Sequence, residues 1–378
     1  VSPLGWPETR TFVILWVVGQ SNGAGRGRTP SAFTIEPGRG YKYDPQDGIV
    51  HLVEPTGTDA LAQDNNYVSF GSGAAAATLA ATGGRVGLIV VNSAVGATTI
   101  ADWAAGGPVW ANAQAQIAAA QAQIKALGLN VVGAIGAFCQ GEGNATSTGG
   151  TMPDYKAGVL DLLARMRTQI GSNVPIIWSP LGSWDVDGAP SDDKASAIRW
   201  AEHSVRAAVA GVHFGPHTFD LPRSFYDVHP TEQGQVIQGY RLAAHVAALL
   251  YGNTPNNGPS ISALTAVDGG LSYRIDFTPG DPGDPLWRTA WVDGLAFYKP
   301  GQDPLSGADV VQTRHLWENN TQLRVWLAEA VTGATLLWPA GTLKEARAGR
   351  YVRNTGNSPL RVGIGNHVPL KPARITAS

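Results

Sequence analysis

The chain has 378 residues, 43% of them hydrophobic and 15% charged, with a formal net charge of −2. That is enough apolar material for one large domain and a smaller one, and near-neutrality leaves no electrostatic footprint for nucleic acid or an anionic membrane. The lone Cys139 excludes an intrachain disulfide and a cysteine-based metal site, and no apolar run reaches the roughly 18 residues of a membrane helix.

In chain order, the first clear element is Val13-Ile-Leu-Trp-Val-Val18, which stops at Gly19. A short apolar run rich in β-branched residues reads as a fully buried strand. It is too short for a signal peptide, has no basic flank and runs straight into Gly19-Gln-Ser-Asn. The chain starts at Val1 without Met, so it is read as a processed product or a piece of a longer one. An extracellular, cell-surface or virion-associated location is the expectation. Residues 26–66 are rich in Gly, Pro, Asp and Asn and read as surface loops. Ser72–Thr82 is alanine-rich and helical in propensity. Val86–Val91 is a second buried strand, and 109–127 an Ala/Gln helix closed by Gly128.

Val131–Phe138 is a third strand, ending in Cys139-Gln-Gly-Glu-Gly143. Pro153 opens a helix that runs to about Ile170. Pro175–Ser179 is a fourth strand, 192–210 a helix, and Val212–Leu221 a fifth, more polar strand. Ser224-Phe-Tyr-Asp-Val-His-Pro230 then leads into a helix over Thr231–Leu250. Strands alternating with helices imply right-handed crossovers and a parallel sheet. The predicted fold is α/β: a three-layer α/β/α, flavodoxin-like sandwich with a five-stranded parallel sheet over residues 1–252. A linker at 253–258 precedes a β-rich module at 259–378, predicted as an all-β sandwich from Leu271–Phe277, Ala290–Phe297, Gln322–Leu327 and Leu360–Ile364.

Ser21 falls just beyond the carboxyl end of the first strand, the edge at which open α/β sheets bind ligands. A serine hydroxyl needs a base to take its proton, and that base is most often a histidine held by an acid. Of eight histidines, His51, His203, His213, His217, His245, His315 and His367 each read as ordinary surface or core residues. His229 differs, because it sits between the last strand and the last helix of the sheet with Asp227 two positions before it. Gly19-Gln-Ser-Asn-Gly23 also fits the G-x-S-x-G elbow of α/β hydrolases. In those enzymes the acid and the histidine lie on separate loops, which Asp227-Val-His229 does not match. Gly23, Gly25 and Gly27 lack the G-K-[ST] of a phosphate loop.

Gly19-Gln-Ser-Asn22 after a hydrophobic strand resembles the first block of the SGNH/GDSL hydrolases. More narrowly, it resembles their sialate O-acetylesterase and carbohydrate esterase family 6 branch. Ala94-Val-Gly-Ala-Thr-Thr-Ile-Ala-Asp-Trp103, Gln140-Gly-Glu142 and Asp227-Val-His-Pro230 are similar to three later blocks, in the right order. The resemblance covers about residues 10–250. Gly23 stands where Met is usual, Val95 where Gly is common, and the acid and histidine are spaced D-x-H rather than D-x-x-H.

The resemblance implies Ser21 as nucleophile, His229 as base and Asp227 as its orienting acid, with Glu142 or a backbone carbonyl as other possible supports of His229. It implies an oxyanion hole from the Ser21 and Gly96 N–H groups and the Gln140 amide. Gln20, Asn22, Glu142 and Trp103 are the candidate substrate contacts. Trp110 and Trp184 are further candidates for a sugar platform, with core packing as the other reading of all these tryptophans. Cys139 reads as a small buried apolar residue. No cofactor or metal is called for. The expected activity is a serine esterase that removes O-acetyl groups from a polysaccharide or glycan, with no nucleic-acid or membrane partner and an oligomeric state the sequence leaves open. A non-catalytic carbohydrate-binding or attachment protein and a lipid or thioester hydrolase are the alternatives.

Overall fold

A computed structural model of the chain describes residues 11–27, 35–59, 67–146, 152–182, 192–218, 221, 223, 228–253, 260–278, 286–287, 295–304, 310, 312–318, 322–338, 353–354 and 373–377. The first part is one seven-stranded sheet made of β1 (Thr11–Gly19), β2 (Tyr41–Asp44), β3 (Gly48–His51), β4 (Val86–Asn92), β5 (Val131–Cys139), β6 (Ile176–Ser179) and β7 (Val212–Phe214). The strand order is β3-β2-β4-β1-β5-β6-β7. Every neighbouring pair is parallel except the β2–β3 hairpin. The helices are α1 (Ser21–Ala24), α2 (Gly71–Ala81), α3 (Pro108–Ala126), α4 (Glu142–Thr146), α5 (Met152–Ile170), α6 (Asp192–Ala208) and α7 (Glu232–Leu250).

Side-chain alternation along β1 makes the three layers. Phe12, Ile14, Trp16 and Val18 point into a core shared with Ile117 of α3, Leu162 of α5 and Ile198 of α6. Val13, Leu15 and Val17 point the other way, into a core shared with Ala74 and Leu79 of α2 and Leu242 and Val246 of α7. Both faces are covered, so β1 is a continuous apolar run. On the second face α2 and α7 approach closely at Gly239, where a Cβ would lie 2.5 Å from Phe70 O. The N-terminus of α2 is capped from a distance: the Glu54 carboxylate accepts from Ser69 N–H and Ser72 N–H, each at 3.2 Å. Burial pushes that carboxyl above its usual range.

The three-layer α/β/α sandwich is present, but its sheet is larger than the five parallel strands read from the sequence. Six strands are mutually parallel and β3 is antiparallel. The two extra strands come from the stretch read as surface loops. Each is four residues long, too short to show a period. The turn between them is held by Asp44 Oδ1, which accepts from the Gln46 and Asp47 amides. At the other edge β7 ends at Phe214 rather than Leu221. Pro216 has no N–H to continue a ladder.

The rest of the chain is β-rich. It comprises β8 (Ser260–Val267), β9 (Ser272–Thr278), β10 (Leu286–Trp287), β11 (Ala296–Tyr298), β12 (Gln312–Trp317), β13 (Gln322–Leu327), β14 (Thr335–Trp338), β15 (Arg353–Asn354) and β16 (Ala373–Thr376). These form antiparallel sheets in the orders β12-β13-β9-β8 and β11-β14-β16, with β10 and β15 paired. Leu264, Tyr273, Phe277, Leu323, Phe297 and Leu336 from the two larger sheets share one core, a sandwich arrangement. The strand expected over Ala290–Phe297 is described only from Ala296, and Leu360–Ile364 lies outside the described residues. The module packs on α6. Trp200 meets Tyr298 edge-on at 5.6 Å between ring centroids, and the Arg374 guanidinium sits 3.8 Å above Trp200 and donates to Ser204 Oγ.

Candidate active site

Four chain segments meet at the carboxyl edge of the sheet. β1 ends at Gly19 with φ +134°, where a Cβ would lie 1.9 Å from Cys139 O of the adjacent strand. Gln20 N–H donates to that same carbonyl at 2.8 Å. The chain turns at once into α1, with the Gly23 and Ala24 amides bonded back to Gln20 O. Ser21 therefore stands on the first residue of a short helical turn, where an N–H has no carbonyl four residues back to bond.

His229 Nε2 lies 2.8 Å from Ser21 Oγ, across 208 residues of sequence. The histidine is carried on the 228–230 segment, just before the Thr231 cap of α7, whose Oγ1 accepts from Gly234 N–H. A buried arginine holds this segment. Arg223 donates to Val228 O and, at 3.0 Å, to Thr218 O, and it pairs as an isolated bridge with Pro230. Asp227 lies outside the described residues.

The turn after β5 is tied to the serine turn. Gln20 Oε1 accepts from Gly143 N–H at 2.9 Å and Gly141 N–H at 3.4 Å, and Asn22 Nδ2 donates to Glu142 Oε1 at 2.6 Å. Gln20 and Asn22 are both buried. They position the two turns against each other. Tyr155 Oη donates to Gln140 O at 2.9 Å. Its hydroxyl is pushed well above its usual pKa by burial, then by Glu202 and Glu142. Cys139 is buried and its thiol is pushed up to about 12, chiefly by burial, so it is no nucleophile at neutral pH.

Gly96 and Gln140 reach the same edge, but their donors point elsewhere. Val95 N–H bonds to Gly19 O at 2.9 Å, which brings the 94–96 turn beside the serine turn. The next amide, Gly96 N–H, donates to Asp59 Oδ2 at 2.9 Å. Asp59 is itself in a buried ion pair with Arg26 at 2.5 Å, and Arg26 also donates to Gly25 O. Gln140 Nε2 donates to Asn144 Oδ1 at 2.7 Å, the oxygen that also accepts from Ile100 N–H at 2.7 Å. An oxygen that accepts a backbone N–H cannot be the amide nitrogen, so this end of Gln140 is its NH2. Among the described residues there is no group of three or more His, Cys, Asp or Glu able to hold a metal ion. No described helix is long and apolar enough to cross a membrane.

The family model of the carbohydrate esterases, sialic acid-specific acetylesterases, matches residues 11–248, the part that contains all of these groups. This chain belongs to that family. It is thereby a carboxylic ester hydrolase of the carbohydrate-esterase kind. A solved structure described as a carbohydrate acetylesterase, XAC1771 from Xanthomonas citri, is similar in fold, with a TM-score of 0.64 and 19% identity over 96% of this chain and 80% of that one. A solved protein from Arabidopsis thaliana is similar with a TM-score of 0.50 and 19% identity, covering 62% of this chain and 96% of that one. A search of the curated proteins finds no significant match.

In this esterase two of the three tryptophans considered for a sugar platform take the core-packing reading. Trp103 is fully buried, with Nε1 donating to Thr98 Oγ1 at 3.1 Å. Trp110 packs on Trp16 at 6.0 Å between ring centroids. Both are core residues; Trp184 lies outside the described residues. Arg26, Asp59, Asn144 and Arg223 organise the site without having been singled out in the sequence. They come from loops or a single short helical turn with no period, and their partners lie as far as 44 residues away.

The loop after β6 is held by two buried side chains of α6. Glu202 accepts from Leu181 N–H at 3.0 Å, and Arg199 donates to Gly182 O at 2.6 Å. Burial pushes the Glu202 carboxyl up to about 8, against the pull of Arg199. The acid is therefore held more readily protonated in the fold than in the unfolded chain. Its contribution to stability is complete below about pH 4.5 and is lost as pH rises toward 8. Glu202→Gln keeps an acceptor for Leu181 and does not titrate. Between pH 5 and 8 the melting temperature of the native esterase is expected to fall relative to that of the variant, measured by calorimetry across the range.

Proposed function

We propose that this esterase removes O-acetyl groups from carbohydrate through an acetyl-serine intermediate. The observation that carries the reading is the Ser21 Oγ to His229 Nε2 contact of 2.8 Å at the sheet edge, in a chain of this family. With Nε2 unprotonated, it accepts the Ser21 proton as Oγ attacks the acetyl carbonyl carbon. The tetrahedral oxyanion collapses, the C–O bond to the sugar breaks, and the imidazolium returns its proton to the departing sugar oxygen. Water, deprotonated by the same nitrogen, then attacks the acetyl carbon; the bond to Ser21 Oγ breaks, acetate leaves and the imidazolium returns its proton to Oγ. The resemblance assigns support of the other ring nitrogen to Asp227.

The oxyanion forms beside the Ser21 N–H at the head of α1. Gly96 N–H joins it only once Asp59 Oδ2 gives that amide up, because one N–H cannot serve a carboxylate and an oxyanion at full strength together. Gln140, with its NH2 turned to Asn144, acts by shaping the turn. The β module, docked through Trp200 on α6, braces the helix that holds the loop after β6. The test is acetate release from a mono-O-acetylated glycoside and from an aryl acetate by the purified chain. Turnover of both supports the reading, and the absence of turnover on either refutes it.

A further inference from the structure

The Gly96 amide shares its acceptor with an arginine. Gly96 N–H donates to Asp59 Oδ2 at 2.9 Å, and Arg26 Nη2 donates to that same oxygen at 2.5 Å. Arg26 Nη1 reaches Asp59 Oδ1 at 3.3 Å. One anionic oxygen is therefore held at once by a backbone amide and a guanidinium, a donor pair that suits an oxyanion as well as a carboxylate. Gly96 and Asp59 are each half-buried and Ala97 is exposed, which puts the group close to the surface.

Both donors are anchored independently of Asp59. Arg26 Nη1 donates to Gly25 O at 2.7 Å. The next residue, Gly27, is bonded to Val68 in both directions, at 3.1 and 2.8 Å. Arg26 Nη2 lies so close to Gly96 that a Cβ there would meet it at 2.3 Å, so the guanidinium fills the space a side chain at 96 would take. The amide is fixed by its own turn. Val95 N–H bonds to Gly19 O at 2.9 Å, Thr98 Oγ1 donates to Val95 O at 2.8 Å, and Ala97 is held at φ +60°. A residue with a side chain stays in that region only where its surroundings enforce it.

We propose that Arg26 is a catalytic residue of this esterase, an oxyanion donor that Asp59 occupies in the resting enzyme. As the ester carbonyl enters, the Asp59 carboxylate turns out toward water and the developing oxyanion takes its place, accepting from Ser21 N–H, Gly96 N–H and Arg26 Nη2. An oxygen placed on Gly96 N–H where Asp59 Oδ2 now lies is in reach of Arg26 without movement of either donor. The guanidinium keeps its proton and exchanges one anion for another. Arg26 thereby supplies the side-chain donor that Gln140, with its NH2 on Asn144, does not. Asp59 is a positioning residue that keeps the two donors aligned between turnovers and opposes catalysis until it leaves. The proposal rests on the serine-esterase reading and adds one charged donor to it.

The test is kinetics on an aryl acetate with Asp59→Ala, Arg26→Met and the double variant. The two halves of the ion pair should act in opposite directions. Asp59→Ala frees both donors and should raise kcat/KM about ten-fold, the worth of one hydrogen bond to a charged group. Arg26→Met should lower it about a hundred-fold, as loss of one oxyanion donor does, with the fall in kcat rather than in KM. The double variant, which leaves neither charge unpaired, should stay below the native chain. Formate should refill the place of the lost carboxylate. It should inhibit Asp59→Ala competitively, and at the same concentration leave the native chain and the double variant within about two-fold of their uninhibited rates. Losses of similar size in Asp59→Ala and Arg26→Met, or an Asp59→Ala variant that formate does not inhibit, would show a pair that only braces the fold and would overturn the assignment. If Arg26→Met fails to fold, the double variant and the formate comparison decide the matter. A native chain with no turnover of the aryl acetate would instead strike the esterase reading, and the role of Arg26 with it.

Discussion

Ser21→Ala is expected to lower kcat/KM for an acetate ester by about ten-thousand-fold or more while leaving the fold in place. Removing one member of a nucleophile–base pair typically forfeits most of the covalent route, and what survives comes from binding and oxyanion contacts alone. Ser21 heads α1 through its backbone, and Gly25 N–H bonds to its carbonyl at 2.9 Å. Alanine keeps those bonds. The side chain lost is a single hydroxyl whose contact is His229 Nε2, so the stability cost should stay near about 1 kcal/mol. Kinetics with an aryl acetate and a denaturant titration on the same preparation separate the two effects. Wild-type turnover by the variant would remove the serine mechanism.

The second large effect is expected at Gly19. Its φ of +134° lies where side chains are strained, and an added Cβ would meet Cys139 O at 1.9 Å. Gln20 N–H bonds to that carbonyl as the serine turn leaves the sheet. Relief requires β1 and β5 to part at their carboxyl ends, where Ser21 and the turn at Gln140 are aligned. Gly19→Ala should destabilise the chain by about 3 kcal/mol or more and lower kcat/KM about a hundred-fold through misplacement of the nucleophile. Gly23→Ala is the control. Its nearest contact would be Ala94 Cβ at 3.1 Å, and its helical backbone tolerates a side chain, so it should keep most of its activity. Urea midpoints and kinetics of the two variants side by side check the contrast.

These effects track what was legible in the sequence. The strand, the glycine stop and the serine stand together in one short stretch, so hydrophobic patterning alone locates Ser21 at the sheet edge. His229 was legible through its place between the last strand and the last helix. The two faces of β1 predict two helical layers, and the layers are there. What patterning could not show is which donor faces which acceptor. Gly96 and Gln140 lie where the sequence places them, yet Asp59 and Asn144 decide what their N–H groups do. Asp59 reaches Gly96 from 37 residues away, out of a stretch with no period, and it is fixed by Arg26, one of many scattered arginines. Trp103 shows the same gap. A tryptophan near the site reads as core more readily than as platform, and its bond to Thr98 Oγ1 and its burial place it in the core. The β2–β3 hairpin escaped because four-residue strands carry too little alternation to separate from loop.

The most direct measurement is covalent capture. An aryl phosphonate ester that mimics the tetrahedral intermediate should inactivate the esterase with one equivalent bound, and peptide mass spectrometry should place the adduct on Ser21. His229→Ala should slow that labelling by at least about a hundred-fold, because the contact at 2.8 Å supplies the base. An adduct on another residue, or undiminished labelling of Ser21 without His229, would contradict the account.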